Sequence, residues 1–160
     1  IIGLYKECCQ GEILYNNKSI DKFDMKQMLK TEISFLEQNS ERMNISAKEF
    51  IRFGIDNVNE DRENSLIIDF FEETGIAIED LNEINLCSGG EFQKLSLIRI
   101  LQKDSSLIIL DEPTTGLDFT SVKNLARILL RDKLNKITII VTHDSRILEI
   151  CDKVIEIGRN

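Results

Sequence analysis

No apolar run in this sequence approaches the roughly 18 residues that a membrane-spanning helix needs. Residues 1–9 carry neither a basic start nor a cleavage-site pattern. The sequence therefore encodes no membrane span. Basic excess is also missing, with 20 Lys and Arg against 28 Asp and Glu and a formal charge of −8. Counterion release on a nucleic acid needs a basic face, so nucleic acid is excluded as the main partner. Acidic charge of this size serves solubility. Cysteine is scarce and poorly spaced for a metal, since Cys8 adjoins Cys9 while Cys87 and Cys151 stand alone. Reduced thiols in a cytosolic setting are the simplest reading. Internal repeats and low-complexity tracts are absent as well. There is no initiator methionine, and residues 1–5 read as the last turn of a helix, so we expect a domain whose start lies upstream.

What is present suits one soluble globular core, with 160 residues that are 42% hydrophobic and 30% charged. Residues 11–17 alternate as a short strand and end in Asn16-Asn17, which tolerate the left-handed backbone of a tight turn. Asp24 caps a predicted helix to residue 30, and residues 31–36 form a second strand. Ser46 and Glu49 have capping-box spacing, opening a helix that Gly54 closes. Residues 62–74 are amphipathic, with Leu66, Ile67, Phe70 and Phe71 on one side and Gly75 as the stop signal. These two helices form a small helical insert. From Ser88 onward helix and strand alternate: helix 89–103, strand 107–110, helix 120–134, strand 137–141, helix 145–151 and strand 154–157. Continuous apolar strands between helices predict an α/β fold with a parallel sheet covered on both faces.

In such folds the chemistry gathers at the carboxyl ends of strands. Asp111-Glu112-Pro113 follows four apolar residues, where a hydrated magnesium ion and an attacking water can be served by separate acids. Taken alone, that pair equally describes a solvated loop. Ser88-Gly89-Gly90-Glu91 opens a helix, and two glycines there let backbone N–H groups approach an anion at the positive helix end. A plain N-cap accounts for Ser88 but not for both glycines. His143, the one histidine, follows strand 137–141 directly, and Gln38 stands in the same position after strand 31–36.

Together these residues resemble the ATP-binding cassette (ABC) ATPases. Residues 86–91, Leu-Cys-Ser-Gly-Gly-Glu, resemble the signature motif, and residues 107–112 the Walker B strand with its catalytic glutamate. Thr115-Gly116-Leu117-Asp118 resembles the D-loop, Gln38 the Q-loop glutamine and His143 the switch histidine. The resemblance covers essentially the whole chain. It departs from the family at Glu91, where glutamine is usual, and at Cys87, where an aliphatic residue is usual. No Gly-x-x-x-x-Gly-Lys-Ser/Thr occurs, so the Walker A cradle and its lysine are not among these residues.

The resemblance implies a P-loop NTPase of ABC type, a partial nucleotide-binding domain over residues 1–160 with a helical subdomain at about 44–86. It implies ATP and Mg2+ as cofactors and ATP hydrolysis once a Walker A segment completes the site. Two such domains pair head to tail, so Ser88, Gly89, Gly90 and Glu91 would serve the partner's ATP and Asp118 would link the two sites. Asp111 and Gln38 would serve the metal. Glu112 would act as general base, Gln38 would also touch the attacking water, and His143 would touch the γ-phosphate. The further partner implied is a transmembrane domain at the cytoplasmic face of the cell membrane. The stretch from Ile20 to Gln38 looks exporter-like, which implies a peptide, lipid or drug-like cargo; a regulatory domain or a soluble ABC ATPase is the alternative.

Overall fold

The computed structural model describes residues 11–37, 42–133 and 136–158. Asn16 and Asn17 both take left-handed backbone, at φ 49° and 60°. They fold strand β1 (Leu14–Tyr15) back onto antiparallel β2 (Lys18–Ser19), as the Asn-Asn pair predicts. Helix α1 (Met25–Thr31) starts where Asp24 accepts the backbone N–H groups of Lys26 and Gln27. Thr31 belongs to this helix, so strand β3 spans Ile33–Leu36 and begins two residues later than expected.

Between β3 and the next strand every element is helical. Helix α2 (Ala47–Arg52) carries the full capping box of Ser46 and Glu49. Helix α3 (Glu60–Phe71) starts earlier than its apolar pattern suggests, because Asn59 accepts the N–H of Arg62 and caps it. It tightens into a single 3-10 turn, Glu72–Thr74, before Gly75. Arg52 binds buried Glu63 through both Nε (3.0 Å) and Nη2 (2.6 Å), locking α2 to α3. A fork-shaped pair of this kind is geometrically specific, which suits a carboxylate only 3% exposed. Arg62 donates to Leu101 O at 2.8 Å and also pairs with Asp132, fastening the helical insert to the rest.

Helix α4 (Gly89–Leu101), strand β4 (Leu107–Asp111), helix α5 (Phe119–Asp132), strand β5 (Ile137–Val141) and helix α6 (Ser145–Leu148) follow in turn. The three longer strands form one parallel sheet in the order β3-β4-β5. Leu36 lies opposite Leu110, Leu110 opposite Ile140, and Asp111 opposite Val141, so the carboxyl ends of all three strands are level. Buried Leu36, Leu66, Leu95, Leu97, Ile98, Leu101, Ile108, Leu110 and Leu125 make one core from sheet and helices. No helix among the described residues is long and apolar enough to cross a membrane.

Two expectations are corrected. Among the described residues strand β5 is not buried on both faces, since Ile137, Ile139 and Val141 are at least half exposed on one of them. Residues 154–157 form no strand, and Ile155 and Ile157 are 72% and 94% exposed. An apolar, β-prone run becomes a strand only where a neighbouring backbone offers a ladder. Among the described strands none takes up this run. Helix α6 also ends early, at Leu148, where bonds from Ile150 N to Ile147 O and from Cys151 N to Leu148 O tighten the last turn.

Candidate functional site

The level strand ends place the acids after β4 beside the histidine after β5. Glu112 N donates to Val141 O at 2.8 Å, which extends the ladder one residue past β4. Glu112 then takes φ 47°, a left-handed conformation unusual for a residue with a side chain. Such backbone costs on the order of 1–3 kcal/mol and persists where the surroundings impose it. It turns the chain off the sheet so that Glu112 Oε1 meets His143 Nδ1 at 3.0 Å. The His143 ring is open to solvent while the Glu112 side chain is mostly buried. Hydrogen bonding to Glu112 raises the His143 pKa above its ordinary value, and the carboxylate charge adds to this.

Glu112 Oε2 is buried and has no donor among the described residues. An orphaned buried carboxylate oxygen beside an exposed imidazole suits a water or a proton in transit. Asp111 is half-buried at the end of β4. Asp144, which caps α6, is pulled down to about 2 by its ion pair with Arg146, with Oδ2 to Nη2 at 2.6 Å.

Ser88 begins α4 with a complete capping box. Its Oγ accepts the Glu91 N–H at 3.2 Å, and the Glu91 carboxylate accepts the Ser88 N–H at 2.7 Å. A Cβ built on Gly89 meets nothing within 4 Å, whereas one on Gly90 would lie 2.7 Å from Gly116 O. Gly89 therefore keeps the helix start open to the outside, and Gly90 permits contact with the loop after Glu112. Asp118 caps α5 by accepting from Ser121 N (2.8 Å) and Ser121 Oγ (2.9 Å). Lys94 beside it holds its carboxyl well below the usual carboxylate range. Burial pushes the Cys87 thiol up, so this cysteine is a packed apolar side chain rather than a thiolate.

The structure thus brings Glu112 and His143 into contact and places Asp111 on the adjoining strand end. It joins Ser88, Gly89, Gly90 and Glu91 to Asp118 through the 113–118 loop. Gln38 lies outside the described residues. Three residues without a motif signal also join these elements: Arg42, Gln93 and Lys94. Arg42 Nη1 donates to Cys87 O at 2.5 Å and its guanidinium lies 4.8 Å from the Phe92 ring centre, steadying the segment before Ser88. Residues 92–98 mix polar and apolar types, so Lys94 carries no local cue of its own.

Comparison with known proteins follows this geometry. The family profile described as ABC transporter matches residues 1–115. A glutathione/L-cysteine transport system ATP-binding/permease protein of Haemophilus influenzae is 31% identical over 94% of this chain. An energy-coupling factor transporter ATP-binding protein of Onion yellows phytoplasma is 30% identical over 97% of it. The chain spans 28% and 58% of the lengths of these two relatives. Among solved structures, a dimeric ATP-binding cassette in a post-hydrolysis state bound to ADP and Pi superposes with a TM-score of 0.73 at 19% identity. That match covers 93% of this chain and 69% of the cassette. A bacterial Atm1-family ABC exporter with ATP bound superposes with a TM-score of 0.79 at 18% identity, covering 91% of this chain and 27% of the exporter. The sheet and helices are those of a P-loop NTPase cassette, and with its profile matched over residues 1–115 the chain belongs to the ABC transporter family.

Proposed function

We propose that this chain is the ATP-hydrolysing motor of a transporter, working at the cytoplasmic face of a membrane against a transmembrane partner. The observation that carries the reading is the Glu112–His143 pair at 3.0 Å with Glu112 Oε2 buried and without a donor among the described residues. Bound Mg2+ supplies charge neutralisation on the phosphates and keeps several waters of its own. Among the described residues no cluster of three metal-ligating side chains forms, which fits an ion held mostly by phosphate and water. Asp111 would hold it through that water shell, with Gln38.

Glu112 accepts a proton from the attacking water or fixes its orientation, and the imidazole of His143 lends positive charge on the γ-phosphate side. Ser88, Gly89, Gly90 and Glu91 present the open start of α4 to the nucleotide of a second cassette, and Asp118 joins the two sites. This is catalysis by positioning and electrostatics. No Walker A pattern occurs among these 160 residues, so this reading needs a phosphate cradle and its lysine to complete the site. On cargo, we favour export of a peptide, lipid or drug-like molecule. The likeness to a glutathione/L-cysteine transport protein and to an exporter fold supports this reading.

The test is Glu112→Gln in the intact protein. ATP binding should persist while turnover drops about 10²- to 10⁴-fold, the usual cost of a lost general base. Turnover within a few-fold of the unsubstituted protein removes Glu112 from this role.

A further inference from the structure

An ammonium buried on an apolar helix loses its hydration and needs compensation. The Lys94 side chain is 7% exposed and lies among Phe92, Leu95, Leu97 and Ile98 on α4. Its Nζ donates to Asp118 Oδ2 at 2.9 Å and stands 5.8 Å from the ring centre of Phe71, at the end of α3. Two more contacts join the same pieces. Gln93 Nε2 donates to Pro113 O at 3.0 Å, and the Gly90 backbone packs against Gly116. Helix α4 does not depend on them for its start, which has its own capping box.

We infer that Lys94 is a positioning residue whose ammonium, with Gln93 and the Gly90–Gly116 contact, fastens residues 113–118 to α4. Glu112 and the Ser88 helix start then move as one body. The inference rests on the functional reading above, in which Glu112 serves one nucleotide and Ser88 the partner's. A displacement of the helix start by the partner's nucleotide reaches the backbone next to Glu112 through these contacts, within a single chain. Asp118 is 55% exposed and stays solvated without Lys94, and α5 keeps its cap at Ser121. Lys94→Met therefore removes the ion-paired tie, keeps those of Gln93 and Gly90, and leaves the fold.

Two readouts test the link in the intact protein. Hydrogen exchange at the amides of Thr115 and Leu117, both bonded within the loop, should rise about tenfold in Lys94→Met and return in Lys94→Arg. The kcat for MgATP should fall about tenfold in Lys94→Met with KM within about twofold, and Lys94→Arg should recover it. Unchanged exchange in Lys94→Met overturns the inference, as do losses that Lys94→Arg fails to rescue. If Glu112→Gln keeps its turnover the functional reading falls, and the exchange rates still decide the link.

Discussion

Replacing Gly90 with alanine builds a Cβ 2.7 Å from Gly116 O, whereas the same change at Gly89 meets nothing within 4 Å. Carbon and carbonyl oxygen ordinarily approach to about 3.3 Å or more. The 113–118 loop or the start of α4 must then retreat by roughly 0.6 Å, taken as the difference between that limit and the 2.7 Å contact. Backbone meets backbone here, so no flexible side chain can yield. Overpacking of this kind costs about 1–3 kcal/mol. Alanine offsets at most about 1 kcal/mol through helix propensity, and less in a first turn. The net expectation for Gly90→Ala is about 1–2 kcal/mol of destabilisation. Gly89→Ala, with the propensity gain and no clash, should be neutral or stabilising by about 0.5 kcal/mol. Urea titration of the intact protein reads the difference. At a slope of about 2 kcal/mol/M, a gap of about 2 kcal/mol separates the two midpoints by about 1 M. Equal midpoints for the two variants would refute the close Gly90–Gly116 packing, and with it one of the three ties between α4 and the loop.

Glu91→Gln should keep the capping box, since glutamine can accept the Ser88 N–H, while removing a negative charge from the face offered to a partner's phosphates. Nucleotide-driven dimerisation by light scattering should strengthen in the intact protein, and an unchanged midpoint would show that the charge is of no account there. His143, whose pKa is raised chiefly by its hydrogen bond to Glu112, should titrate above about 6.5 by NMR and return toward that value in Glu112→Gln. Since the folded pKa is the higher one, the contact stabilises the fold fully below the unfolded pKa. That contribution fades as pH rises through the raised value. An identical His143 titration in both proteins would mean that the pair does not form in solution.

The secondary structure that follows from nearest neighbours along the chain was legible beforehand. The capping boxes at Ser46 and Ser88, the Asp24 cap, the Asn16-Asn17 turn and the apolar strand before Asp111 each satisfy backbone groups within a few residues. The motif residues 88–91, 111–112, 118 and 143 could be proposed for the same reason, since level strand ends and helix starts follow from alternating pattern. How those residues meet could not be read there. The left-handed turn at Glu112 accompanies its bond to Val141 on another strand; Pro113 after it disfavours right-handed helical backbone but does not itself select φ 47°. Lys94 and Gly90 look like ordinary helix residues until α4 lies against the 113–118 loop. The burial of strand 137–141 and the expected strand 154–157 were misjudged for the same reason. The run Ile137–Val141 is apolar but for Thr138, yet its exposure is set by the neighbour each edge and face has, and residues 154–157 pair with no described strand. Sequence alone determined which segments can be helix or strand and which chemical groups they carry, because capping and periodicity are local. The tertiary structure decided burial, pairing and the contact of Glu112 with His143, because these depend on groups brought together from distant parts of the chain.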